Sequence, residues 1–153
     1  MTIIKWLLAL ILGGFLIFFG VMKFTGGAHI FPYIEFKAAA LNFPMADLFY
    51  PLVNYATGVL EIAAGVLVIL PFTRGIGSKV AVLLLLGAVV FHLSPLLGVS
   101  TPDGYATPAP SDALAAGGPF VRDHFSTGES MTLFSIAAGM LVVALINAFL
   151  QRD

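Results

Sequence analysis

Three ionisable residues stand in apolar surroundings where a charge is expensive. Lys23 comes near the end of the run GFLIFFGVMKFTGG, Glu61 falls inside LVNYATGVLEIAAGVLVILPF, and His92 inside VAVLLLLGAVVFHLSPLLG. A charge in hydrocarbon costs several kcal/mol unless it is paired or hydrated, so each of the three is a candidate for function. An ammonium, a carboxylate and an imidazole can form an ion pair, line a polar ligand pocket or relay protons. On helical spacing Gly58, Glu61 and Gly65 share one stripe, as do Gly13, Gly20 and Lys23, with Gly27 beyond; Ala88, His92 and Pro95 share a third. Small residues mark helix contacts in lipid, so these stripes are expected to face inward. Pro95, which cannot donate, is expected to open a carbonyl toward the same region.

Other chemistry is thinly represented. There are no cysteines, hence no disulfide, thiolate site or dithiol. No nucleophile elbow, phosphate loop or dinucleotide fingerprint occurs, and no intrinsic cofactor is expected. Glu61, His92 and His124, or Asp123 beside it, are the residues from which a metal site would have to be assembled, but their spacing matches no compact ligand motif.

The elements that must position these residues are membrane spans. Of 153 residues 59% are hydrophobic and 10% charged, and the mean hydropathy is +1.03. That is too little charge to cover a soluble domain of this size. The net charge of −1 gives no basic field for nucleic acid. About 20 apolar residues cross a bilayer as a helix. Four stretches qualify, at about 3–24, 52–72, 80–98 and 131–150, with long links at 25–51 and 99–130. The fold expected is an all-α membrane protein: a single four-helix transmembrane domain with a short amphipathic outer helix in YIEFKAAALNF, between the first two spans. An irregular aromatic loop is the alternative for that segment. The first run exceeds the roughly 7–15 residues of a signal-peptide core and is expected to be retained. Lys5, Arg74, Lys79 and Arg152 against the acidic link 99–130 put both termini on the cytoplasmic side. Within that link TPDGYATPAPSDALAAGGP is rich in Pro, Gly, Ala and Ser, and an extended or mobile segment is expected there.

With a rise of 1.5 Å per residue, Glu61 and His92 each stand about 20 Å above the basic residues of the second turn, and Lys23 roughly 26 Å above Lys5. A lysine stem spans about 6 Å, so the three can meet in the outer half of the bundle. Three readings of Lys23 remain open at this point: a structural pair with Glu61, a charge snorkelling to the headgroups, or part of a functional polar pocket with His92. Phe18, Phe19, Tyr55 and Phe91 are the aromatics expected beside such a pocket.

GGFLIFFGVMKF resembles the first-helix signature of the DoxX-like membrane proteins, closing on F-x-G-x-x-K-[FL]. GVLEIAAGVLVILPFTRGIG resembles that family's second signature: an early Glu, small residues, an apolar run and a basic residue at the next turn. The resemblance covers four helices in order and spacing. The long acidic link and the sequence after His92 depart from it. It implies a four-helix protein of the bacterial inner membrane that works beside a membrane partner or as a homo-oligomer, without independent catalysis. Some members resemble a quinone-reducing subunit, which implies a redox-associated accessory protein with a quinone- or lipid-binding pocket at Lys23, Glu61 and His92. A structural or assembly subunit without a ligand is the alternative, and a small proton path or transporter the third.

Overall fold

A computed structural model describes residues 2–151; Arg152, one of the basic residues of the orientation argument, lies outside them. The four long helices are α1 (Thr2–Met22), α3 (Asn54–Ile69), α4 (Arg74–Leu93) and α6 (Thr132–Leu150). Between them lie α2 (Ile30–Ala40) and a short α5 (Ser111–Ala116). Two-residue strands β1 (Thr101–Pro102) and β2 (Glu129–Ser130) pair antiparallel, Thr101 opposite Ser130. Helical turns at Ala46–Leu48 and Phe49–Val53 lead into α3. They break at Tyr50 (φ −135°, ψ 133°), whose helical conformation is disfavoured by Pro51.

The four long helices are each long and apolar enough to cross a membrane, the second counted from Ala46 to Ile69. They form a closed ring: α1 packs on α3, α3 on α4, α4 on α6, and α6 returns to α1. Their outward faces carry exposed apolar side chains such as Phe18, Val59, Leu83 and Val142, as lipid-facing surfaces require. The interior splits into two layers. Ala9, Leu12, Leu16, Ala64, Val68, Ala81, Leu85 and Ala144 close the half nearest the α3–α4 turn. At the other end Tyr33, Ile34, Tyr50, Leu97, Phe120 and Phe125 form an aromatic cap over the bundle.

The α1–α3 contact is the most extensive in the ring, and glycine lets the two backbones touch. A Cβ at Gly13 would stand 2.8 Å from the Gly65 carbonyl oxygen, and one at Gly65 would stand 2.7 Å from the Gly13 oxygen. Seven residues along, a Cβ at Gly20 would stand 2.8 Å from the Gly58 oxygen. The two stripes therefore meet each other, backbone on backbone, at two points one heptad apart. Gly27 takes no part and lies beside Met22.

The turn end departs from expectation. Arg74, expected in the short link between the second and third spans, is the first residue of α4, and it is buried. Its Nε donates to the Val68 carbonyl at 3.1 Å and its Nη2 to that of Ile69 at 3.1 Å. The last carbonyls of α3 have no helical partner, and a cation there satisfies both them and the helix dipole. The guanidinium also stacks 4.1 Å from the Trp6 ring centroid. The Arg74 carbonyl in turn accepts from Ser78 Oγ (2.7 Å), which accepts from buried Asn147 Nδ2 (3.0 Å), tying α6 to α4.

The cap departs from expectation twice. The helix between the first two spans is present, but it is not an amphipathic helix with its charges outward: Glu35 is buried together with Pro32, Tyr33, Ile34 and Ala38. The segment 101–119 is not extended, and neither is the rest of the link 99–130. The link folds back through the β1–β2 pair, a Tyr105–Phe125 bridge and α5, and buries Phe120 and Phe125. Aromatic burial outweighs its Pro/Gly composition.

Gly13 and Gly14 separate the two possible effects of a methyl group. Gly13→Ala is expected to destabilise the protein in detergent by about 1–3 kcal/mol through overpacking. Gly14→Ala, with nothing within 4 Å of the new Cβ, is expected to be neutral or slightly stabilising. Thermal unfolding of the two variants side by side checks this; equal midpoints would show that the crossing is not backbone-limited.

Candidate functional site

Just past the end of α1 the chain turns, and Lys23 is carried back over the helix crossing. Its Nζ donates to Glu61 Oε2 at 2.6 Å, with side-chain exposures of 9% and 20%. Glu61 lies between Gly58 and Gly65 on α3, so the pair sits on the glycine crossing. The lysine stem bends inward instead of snorkelling outward, and Nζ lies 5.8 Å from the Phe31 ring centroid. Asn54 Nδ2 donates to the Lys23 carbonyl at 3.1 Å and holds the turn in place. The Oδ1 of Asn54 is buried without a hydrogen-bond partner.

The pair opens on a cavity of about 350 Å³ in the cap half of the bundle. Phe15, Leu16 and Phe19 of α1, Phe31 and Ile34 of α2, Leu84, Ala88 and Phe91 of α4, and Ile136 and Ala137 of α6 make its apolar wall. Lys23, Glu61, His92, His29 and Thr57 supply the polar positions. The size lies within the roughly 300–1,000 Å³ of small-molecule sites, and an apolar wall with a few polar groups is their usual construction.

His92 lines this cavity but bonds to neither partner of the ion pair. Its Nδ1 lies 2.9 Å from the Gly98 carbonyl, and its ring meets Phe134 edge-on. Gly98 has φ +89°, a conformation glycine adopts freely, which turns that carbonyl back toward α4. The carbonyl that Pro95 was expected to free, that of Phe91, is taken by the Ser94 amide and hydroxyl.

Of the expected aromatics, Phe19 and Phe91 line the cavity. Phe18 points outward, and Tyr55 stacks on Phe24 at 5.4 Å between centroids. The metal alternative finds no geometry: among the described residues no three His, Asp or Glu stand close enough to share an ion. His124 lies in the cap against Phe120, its Nδ1 accepting from the Val121 amide.

Two residues at this end carried no sequence signal. His29 is buried, lines the cavity, and has Nε2 2.8 Å from the Pro102 carbonyl. Burial holds it below the ordinary imidazole range, although the Pro102 bond and the Asp103 charge pull the other way. Glu35 lies in the cap, with Oε2 buried and without a hydrogen-bond partner. Gly118 covers it so closely that a Cβ there would overlap Oε1. Burial, with a smaller contribution from Asp47, pushes the Glu35 carboxyl up to about 7.

No family model, curated protein or solved structure matches the chain.

The ion pair predicts a double-mutant signature. Lys23→Met and Glu61→Gln are each expected to cost about 3 kcal/mol of stability by stranding a buried charge, while the double variant recovers most of the loss. Thermal unfolding in one detergent measures all three; additive losses would mean the two residues are not coupled. The Glu35 carboxyl predicts a pH dependence. Its value in the folded chain is raised above the ordinary 4.5, so the folded state holds the proton longer. The cap is then most stable below pH 4.5 and loses stability as pH rises toward about 7, after which this contribution is constant. Amide exchange of α2, corrected for its intrinsic pH dependence, is expected to follow that course and to flatten in Glu35→Gln.

Proposed function

We propose that this chain is a DoxX-like inner-membrane protein that binds a lipid-soluble small molecule, of quinone or lipid type, in the cap-half cavity. The observation that carries the reading is the combination at one place of an apolar chamber and a paired cation and carboxylate. A ligand with an apolar body and a compact polar head fits both: the body replaces lipid against Phe15, Phe19 and Ala88, and the head meets Lys23 and Glu61. The pair has no net charge, which suits an uncharged head. The chain brings no redox group, so in this reading electrons come from a membrane partner, and the protein is an accessory that holds or presents the ligand. Both termini and the α3–α4 turn lie on the cytoplasmic side, and the cavity opens toward the outer face.

A structural reading draws on the same pair. Its position on the glycine crossing is where a clasp between α1 and α3 would stand, and in a structural or assembly subunit the clasp would be its whole role.

Lipid extracts of protein purified in mild detergent distinguish the two. The expected result is a quinone or other neutral lipid at near-stoichiometric amount, reduced at least several-fold in Glu61→Gln and in the cavity-filling variant Ala137→Phe. Extracts that are the same for native protein and Ala137→Phe would leave the clasp as the only role of the pair.

A further inference from the structure

The two cavity histidines are tethered in a way that fixes their hydrogen-bonding character. A backbone carbonyl oxygen only accepts, so the ring nitrogen facing it must carry the proton. His29 is therefore protonated at Nε2, against Pro102, and His92 at Nδ1, against Gly98. In a neutral ring the second nitrogen is then an acceptor: Nδ1 of His29 and Nε2 of His92. Among the described residues neither has a hydrogen-bonding partner, and both rings line the cavity. Glu61 adds another acceptor, since its hydrogen bond to Lys23 uses Oε2 and leaves Oε1 without a protein donor.

The polar groups of the cavity are thus rich in acceptors. Thr57 does not redress the balance, because its hydroxyl is committed to the Val53 and Asn54 carbonyls. Among the described side chains that line the cavity, the Lys23 ammonium is the one with donors to spare, since it keeps N–H bonds beyond the one given to Glu61. Among these side chains a ligand carbonyl can engage that ammonium alone, and it leaves the imidazole acceptors without protons. A hydroxyl accepts from Lys23 through its oxygen and donates its proton to an imidazole or to Glu61. Sites built around a ligand hydroxyl discriminate strongly against the analogue that lacks it, because their own polar groups are then left unpaired.

Resting on the reading of this cavity as a ligand site, we propose that it selects a neutral lipid-soluble ligand whose head donates hydrogen bonds through hydroxyl groups, over the carbonyl form of the same molecule. A hydroquinone ring and a terminal prenol both carry that chemistry.

The test is binding to the full chain in lipid nanodiscs, measured calorimetrically with three probes: a decyl-substituted benzohydroquinone kept reduced, the matching benzoquinone, and farnesol. The hydroquinone is expected to bind at least 10-fold more tightly than the quinone, and His29→Phe and His92→Phe are each expected to narrow that ratio. Because these variants can also disturb the cap, nitrogen-15 spectra of the native protein give a second readout. With three histidines in the chain, the hydroquinone is expected to shift the unprotonated nitrogens of His29 and His92 and to leave His124 unmoved. Farnesol binding as tightly as the hydroquinone would support the hydroxyl preference with an aliphatic source, and weaker farnesol binding would support it with an aromatic one. Equal affinity for hydroquinone and quinone, or tighter quinone binding, would overturn the preference while leaving the ligand site standing. Binding of none of the three would overturn both.

Discussion

The structure depends on how closely α1 and α3 approach. Two glycine contacts one heptad apart let the backbones touch, with carbonyl oxygens where side chains would otherwise stand. In lipid there is little hydrophobic gain from bringing two helices together, so association rests on packing at close range and on polar contacts. The crossing supplies both. It places Glu61 between its own two glycines, directly under the turn that carries Lys23, and the ion pair closes at 2.6 Å. At ordinary helix separation the carboxylate would be stranded, and burying it would then cost several kcal/mol. Glycines and charges thus form one device, each making the other tolerable.

From that crossing the bundle divides into unlike halves. Toward the α3–α4 turn the interior is filled: Ala9, Ala64, Ala81 and Ala144 allow close packing around Leu12, Leu16, Val68 and Leu85. Arg74, Ser78 and Asn147 lock the helix ends through a short chain of hydrogen bonds. Toward the cap the same helices surround a chamber, and what covers it comes from outside the spans. The cap sets the chemistry of this chamber as well as covering it, because the Pro102 and Gly98 carbonyls that fix the two imidazoles belong to the connection following α4. A segment that reads by composition as extended or mobile supplies one of these two carbonyls, that of Pro102.

Legibility in the sequence followed the range of the interactions. The four spans could be read because each is a local property of about 20 residues, although the second and third begin six residues earlier than expected, at Ala46 and Arg74. The Lys23–Glu61 contact could be read because helical rise and face convert position into height and direction. His29 could not, since its partner Pro102 lies 73 residues away and neither residue is unusual in its own neighbourhood. Arg74 was misplaced for a related reason. A basic residue after Pro71 reads as part of the short link, and the orphan carbonyls of α3 that draw it inside are invisible in a list of residue types. Glu35 shows the limit of pattern reading. Its alternation with apolar neighbours suggests a solvated face, but the folded link 99–130 covers that face.

The two buried carboxyls of this end show why a clasp and a binding wall are compatible roles for Lys23 and Glu61. Among the described residues Glu35 has no cation within bonding reach, and burial with Asp47 nearby shifts it toward the neutral acid, which suits a place in a packed cap. Glu61 has its cation in contact, and the pair as a whole is neutral. Closing the pair consumes one of three ammonium protons and one of two carboxylate oxygens. The remainder is not absorbed by the protein: Oε1 of Glu61 has no donor among the described residues, and the ammonium has no second acceptor there. A contact that served only to join two helices would gain by engaging these groups with a serine or asparagine, as Ser78 and Asn147 are engaged at the turn end, Asn147 donating to Ser78 and Ser78 to the Arg74 carbonyl. At the cap end the unspent capacity lies along an apolar chamber, beside two imidazoles held with their acceptor nitrogens unoccupied. The pair joins the two helices and keeps hydrogen-bonding capacity on its cavity side.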